Sequence, residues 1–255
     1  MSATHAVADT AVLTGRSLRH ILRSPDTIIT TAVTPIAMML LFVYVLGGAI
    51  ETGSDEPYVT YLLPGILLMT IASGVAYTSY RLFLDLQGGI VERFQSMPIG
   101  RSAVLWGHVL TSLVANAVSL AIVVAVALVM GFRSGAGVLA WLGAAGILLL
   151  FTVALTWLAV VAGLSAKTVD GASAFSYPLI FLPFISSAFV PTDSMPGPVA
   201  WFAENQPVTS IVNAIRALLD GQPAGWDLWV ALAWCLGLLV VAYAWAVATY
   251  RRRLR

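Results

Sequence analysis

Six runs of the chain carry no Asp, Glu, Lys or Arg: 27–50, 57–80, 102–132, 134–166, 171–192 and 228–250. The shortest holds 22 residues. A bilayer core about 30 Å thick needs roughly 20 helical residues at 1.5 Å each. The pattern therefore predicts an all-α membrane protein with six transmembrane helices, at about 27–48, 58–80, 103–130, 138–165, 174–190 and 228–250. Pro35, Pro64, Pro178 and Pro183 fall inside these runs and predict kinks or breaks, since proline removes a helix hydrogen bond.

The polar remainder has its own periodicity. Arg16, Arg19 and Arg23 share one helical face, and Ala11, Leu18, Ile21 and Leu22 fall opposite. This predicts an interfacial helix within residues 1–26, on the cytoplasmic surface, ahead of a single membrane domain at 27–255. Periodicity favours it over a plain basic stop-anchor. Residues 191–227 are too polar to span, yet apolar residues recur at 208, 211, 212, 215, 218 and 219. That spacing predicts an amphipathic helix lying at the outer surface or re-entering it before the last span. Trp226, Trp229 and Tyr250 suit interface anchors for that span.

Charge distribution orients the array. With a cytoplasmic N-terminus, the inner segments hold Arg16, Arg19, Arg23, Arg81, Arg93, Arg101, Lys167, Arg251, Arg252, Arg253 and Arg255, and the outer ones only Arg133 and Arg216. The positive-inside rule selects this orientation, with both termini cytoplasmic. A cleaved signal peptide competes for the first span, but its apolar run and basic arm are long for one. Charged residues are 10% of the chain, against about 25% in soluble domains. The net charge of +1 implies no bulk attraction to nucleic acid. A single cysteine, Cys235, excludes a disulfide within the chain.

Absent chemistry narrows the function. No Asp, Glu, Lys or Arg lies inside a predicted span, and the one titratable histidine there, His108, sits near an end. Ion-coupled carriers generally place ionisable groups at membrane depth. There is no phosphate-binding G-x-x-x-x-G-K-[ST] loop, no H-E-x-x-H and no G-x-S-x-G. His5, His20 and His108 lack metal-ligand spacing. No cofactor or metal is expected in this chain, and energy for uphill movement must enter through a cytoplasmic partner.

Attention then falls on 81–101, RLFLDLQGGIVERFQSMPIGR. Leu82, Leu86, Ile90 and Phe94 recur every four residues, although Gly88-Gly89 weakens one continuous helix. Asp85, Glu92 and Arg93 would face water or a partner. On spacing alone, a surface helix without a partner reads equally well.

At these residues the chain resembles the ABC-2 permease family, in the branch of actinobacterial daunorubicin/doxorubicin-resistance permeases. GGIVERFQSMPIGRSAVLWG at 88–107 resembles the family's loop between spans 2 and 3. NQPVTSIVNAIRALLDG at 205–221 resembles its segment before the last span, with Gln206 between Asn205 and Pro207. The resemblance covers essentially the whole chain. It implies a bacterial plasma-membrane permease that is no enzyme itself. Two such chains, copies of one another, work with two cytoplasmic ATPase chains that bind ATP and Mg, and export hydrophobic or amphipathic drugs, antibiotics or lipids.

The resemblance also implies roles for residues. Coupling to the ATPase falls on Asp85, Gly88, Glu92, Arg93, Phe94 and Pro98, with the N-terminal helix of Arg16, Arg19 and Arg23 beside them. An outer gate falls on Asn205, Pro207 and Arg216. For Asn205 and Arg216 a helix-capping Asn and a snorkelling Arg are equally good readings. The substrate path, near helices 1, 2 and 5, takes in Met38, Tyr44, Met69, Tyr77, Phe175, Tyr177 and Phe181. Met and aromatic side chains suit adaptable apolar binding, but for any single one ordinary helix packing or lipid contact is the favoured reading. A non-transport assembly or signalling subunit, and a lipid-acting membrane enzyme, are the alternatives.

Overall fold

Apolar runs without proline or with one early proline fold into the longest helices. The computed structural model describes residues 25–48, 57–89 and 103–253, without the side chains of 25–31, 103–104 and 253. Helix α1 is Pro25–Leu41, followed by a π-helical turn at Phe42–Leu46. Then come α2 (Tyr58–Gln87), α3 (Ala103–Val129) and α4 (Val138–Ser165). Two short helices follow, α5 (Val169–Ala174) and α6 (Ser176–Phe181), with a 3-10 turn at Leu182–Ile185. The chain continues with α7 (Gly197–Asn205), α8 (Pro207–Leu219) and α9 (Gly225–Arg253). Among the described residues there is no strand. Among the described residues four helices, α2, α3, α4 and α9, are long and apolar enough to cross a membrane.

Two elements differ most from expectation. Helix α2 does not end near Tyr80 but runs to Gln87. Leu82 and Phe83 are buried against its neighbours, so packing carries the helix past the charge at Arg81. Gly88 then closes it, its N–H donating to Leu84 O at 2.8 Å, and Gly89 takes a left-handed φ of 66°. The fifth run, expected as one helix at 174–190, is broken instead. Pro178 and Pro183 lack the N–H groups that would bond the carbonyls of Ala174 and Leu179, and the breaks fall beside them. The expected N-terminal helix of Arg16, Arg19 and Arg23 lies outside the described residues, as do Glu92, Arg93, Phe94 and Pro98.

Contacts fix the relative directions. Gly163 of α4 approaches Ser79 of α2 so closely that a Cβ would stand 2.8 Å from the Ser79 carbonyl oxygen. Trp157 of α4 meets Tyr243 of α9 edge-on at 4.8 Å between ring centres. These pairs lie at similar depths from their helix starts, so α2, α4 and α9 run parallel. Helix α3 runs against them, with Thr78, Ser112 and Thr156 meeting at one level. Helix α1 also opposes α2: Phe42, near its end, stacks on Phe189 at 4.9 Å, and Phe189 O accepts from the Tyr58 hydroxyl at 2.8 Å. The broken fifth segment begins just after α4 ends and finishes beside Tyr58.

Helix α2 is central, packing on α1, α3, α4, the fifth segment and α8. Leu62, Leu63, Ile66 and Ile71 are fully buried in it. A second apolar cluster joins Leu82, Leu105, Val109, Trp157, Val160 and Tyr250 at the opposite end of the bundle. In lipid such close contacts contribute through van der Waals packing, and small residues permit them.

Candidate functional site

Helix α8 closes the end of the bundle where α2 and α4 begin. Pro207 occupies its first turn, where a missing N–H leaves nothing unsatisfied. Val208, Ile211, Val212, Ile215 and Leu219 are buried, the stripe expected from their spacing. Arg216 does not snorkel. Its guanidinium turns inward and donates to Tyr61 O from Nη2 at 3.0 Å and from Nε at 3.3 Å. Nη2 also donates to Ser187 O at 2.8 Å, and Nη1 to Asn213 Oδ1 at 3.3 Å. The Ser187 hydroxyl donates to the same Asn213 oxygen at 2.7 Å. The charge also lies 3.9 Å from the Tyr61 ring centre. One cation thus ties α8 to the start of α2 and to the end of the fifth segment. Each bond from a charged donor contributes roughly 1.5–3 kcal/mol where the carbonyl would otherwise be buried unpaired.

The flanking residues divide. Asn205 is exposed at the end of α7 and donates to Trp201 O at 2.7 Å, a local cap. Gln206 is the buried one, donating from Nε2 to the carbonyls of Leu182 and Ile185 at the break after α6. Thr209 donates to Ala203 O. Gly65 of α2 packs against the same stretch, a Cβ there standing 2.6 Å from Ala188 Cβ. Sequence reasoning missed Tyr61, Ser187, Gln206 and Asn213. Asn213 had a signal, since it precedes Arg216 by one helical turn on an otherwise apolar helix. Tyr61 contributes a backbone carbonyl, which residue type does not reveal.

At the other end, Asp85 Oδ2 of α2 lies 3.2 Å from His108 Nε2 of α3. Gly88 is exposed at the helix end. Deeper, Thr78 donates to Ser112 Oγ at 2.7 Å, and Asn116 Nδ2 donates to Ser112 O at 2.9 Å. Leu82, the first residue of the four-residue stripe, packs inside its own chain.

The residues expected along a substrate path do not share one environment. Met69 is buried in the core. Met38 and Phe175 pack half-buried against that core, and Tyr77 is half-buried near Tyr80. Tyr44, Tyr177 and Phe181 are exposed, at 69%, 60% and 61%. Phe181, Phe184, Phe189 and Phe42 form a ring cluster linking the π turn after α1 to the fifth segment.

Among the described residues no group of His, Cys, Asp and Glu is placed to hold a metal. The chain is similar to the daunorubicin resistance ABC transporter permease protein DrrB1 of Streptomyces coeruleorubidus. The two are 29% identical over 252 residues, 97% of this chain and 88% of the relative. It is 26% identical over 249 residues to the probable doxorubicin resistance ABC transporter permease protein DrrC of Mycobacterium tuberculosis, covering 96% and 89%. Residues 9–219 match the profile of the family described as ABC-2 type transporter. With that match spanning most of the sequence and the apolar helices above, the chain is a multi-pass membrane protein and belongs to the ABC-2 type transporter family.

Proposed function

We propose that this chain is the membrane permease of an ATP-driven exporter of hydrophobic or amphipathic compounds, working with a separate cytoplasmic ATPase. The observation that carries the reading is the match to ABC-2 type transporters over residues 9–219, together with relatives named as drug-resistance permeases along nearly their whole length. The chain crosses the membrane six times with both termini cytoplasmic. The alternating directions of α1 to α4 and α9 are compatible with this, as is the path of the broken fifth segment from the end of α4 to Tyr58. Two copies pair, and two ATPase chains bind ATP and Mg beneath them.

ATP-driven closure of the ATPase pair pushes the 81–101 segment and the N-terminal helix, and α1, α2 and the fifth segment reorient. Residues 191–227 close the exit side, held by Arg216. Reconstituting the chain with its candidate ATPase in lipid nanodiscs tests the reading. Hydrolysis stimulated by apolar compounds supports it, and ATP-independent transport by the permease alone would overturn it.

A further inference from the structure

A cavity of about 300 Å³ opens on the side of the bundle between α3 and α4. Its floor is buried: Leu67 of α2, Leu120, Leu148, and Ile215 and Leu219 of α8. Its rim is exposed, with Ala117 and Ala121 of α3 and Ala145 of α4 among the lining residues. Trp141 of α4 is the lining residue with a polar atom. The neighbouring Val114, Val118, Ile122, Leu142 and Leu149 are also exposed, so the mouth faces bilayer, where no water is available to fill it. An engineered cavity of about half this volume, apolar throughout, takes up benzene.

Depth selects the occupant. From Ala117 to Val129, where α3 ends, the rise is about 18 Å at 1.5 Å per residue. That is close to half of a bilayer core about 30 Å thick, the length of one acyl chain. At the surface end stands a cation. Phe132 meets Trp141 edge-on at 6.3 Å, and Arg133 follows it. Arg133 donates to Leu128 O at 2.7 Å and Phe132 O at 2.8 Å, both from Nη1. Among the described residues its Nε and Nη2 hydrogens meet no protein acceptor, and the side chain is exposed. A phosphate is the complement to such a fork.

We propose that this cavity binds one acyl chain of a phosphate-bearing glycerolipid, in the leaflet into which α3 ends, with the headgroup phosphate on Arg133. The bound chain packs directly on Ile215 and Leu219, and so against the helix that Arg216 anchors. None of the residues expected on the substrate path lines this cavity.

Photo-cross-linking of the full chain in nanodiscs tests this. The probe is phosphatidylglycerol with a diazirine in one acyl chain, compared with diacylglycerol carrying the same chain. Adducts are expected to concentrate on 117–124 and 141–149 rather than on α9. Ala121→Phe at the rim should reduce them severalfold. Arg133→Gln should lower capture of the phospholipid about fivefold, the scale of one arginine at an anionic surface. It should leave diacylglycerol capture unchanged. Adducts spread evenly over all lipid-facing helices would overturn the proposal. So would equal loss of both probes in Arg133→Gln.

Discussion

Arg216 and Tyr61 are joined twice, by ring and by backbone. The guanidinium carbon lies 3.9 Å from the ring centre, and the same side chain donates to the Tyr61 carbonyl at 3.0 and 3.3 Å. Tyr61 sits three residues before Pro64, whose missing N–H leaves the Thr60 carbonyl without its helix partner. The first turn of α2 is therefore weakly held by its own ladder, and a residue from α8 reinforces it. The contact couples a segment outside the long helices to the most buried helix of the bundle.

Replacing Arg216 separates charge from geometry. Arg216→Ala leaves the Tyr61 and Ser187 carbonyls with one partner fewer and removes the cation over the ring. We expect a loss of roughly 2–4 kcal/mol in stability. Arg216→Lys keeps the charge but not the planar fork, and should recover less than half of it. Thermal unfolding in one detergent reads both, and a lysine variant as stable as the wild type would show the fork to be irrelevant.

Close approach at Gly65 gives a sharper test, because it has a designed rescue. A Cβ at 65 stands 2.6 Å from Ala188 Cβ, well inside contact distance. Gly65→Ala should destabilise by roughly 1–3 kcal/mol through overpacking. Adding Ala188→Gly should restore most of that. If the double variant melts no higher than the single one, the two segments do not pack as described.

Asp85 and His108 pose a question of function against stability. Their side chains are 31% and 14% exposed, so a pair at 3.2 Å contributes at most about 1 kcal/mol. A double-mutant cycle of Asp85→Asn and His108→Gln should return a coupling below that value in unfolding experiments. If the end of α2 transmits ATPase motion, either variant should nonetheless weaken compound-stimulated ATP hydrolysis in the reconstituted complex. Unchanged stimulation would leave the pair a local brace.

Helices α2, α3, α4 and α9 were legible because long apolar runs admit one structure in lipid. The family was legible in 88–107 and 205–221, and the buried stripe of α8 in its period. Other features depend on partners far away in sequence. Helix α2 overruns Arg81 because Leu82 finds Trp157 and Tyr250 nearby, which no local pattern states. The fifth segment breaks into pieces, and Gln206, which does not stand out by type, satisfies the carbonyls of Leu182 and Ile185, while Arg216 satisfies that of Ser187. Arg216 read equally as a snorkelling cation, since its acceptors are carbonyls contributed by Tyr61 and Ser187.

The coupling assignment to 81–101 is tested most directly by Glu92→Ala combined with Arg93→Ala. Both residues follow the glycine cap that ends α2, and both are charged within an apolar context. Charged contacts buried at a protein junction are worth on the order of 1–3 kcal/mol, enough to weaken assembly or its response visibly. We expect the double variant, in nanodiscs with the ATPase, to lose stimulation by apolar compounds while folding normally. The matched control is Arg16→Ala with Arg19→Ala in the N-terminal segment. If the 92/93 variant responds like the wild type and the 16/19 variant does not, the ATPase grips the chain through its N-terminal segment. Coupling would then reach α2 through the start of α1 rather than through residues 90–101.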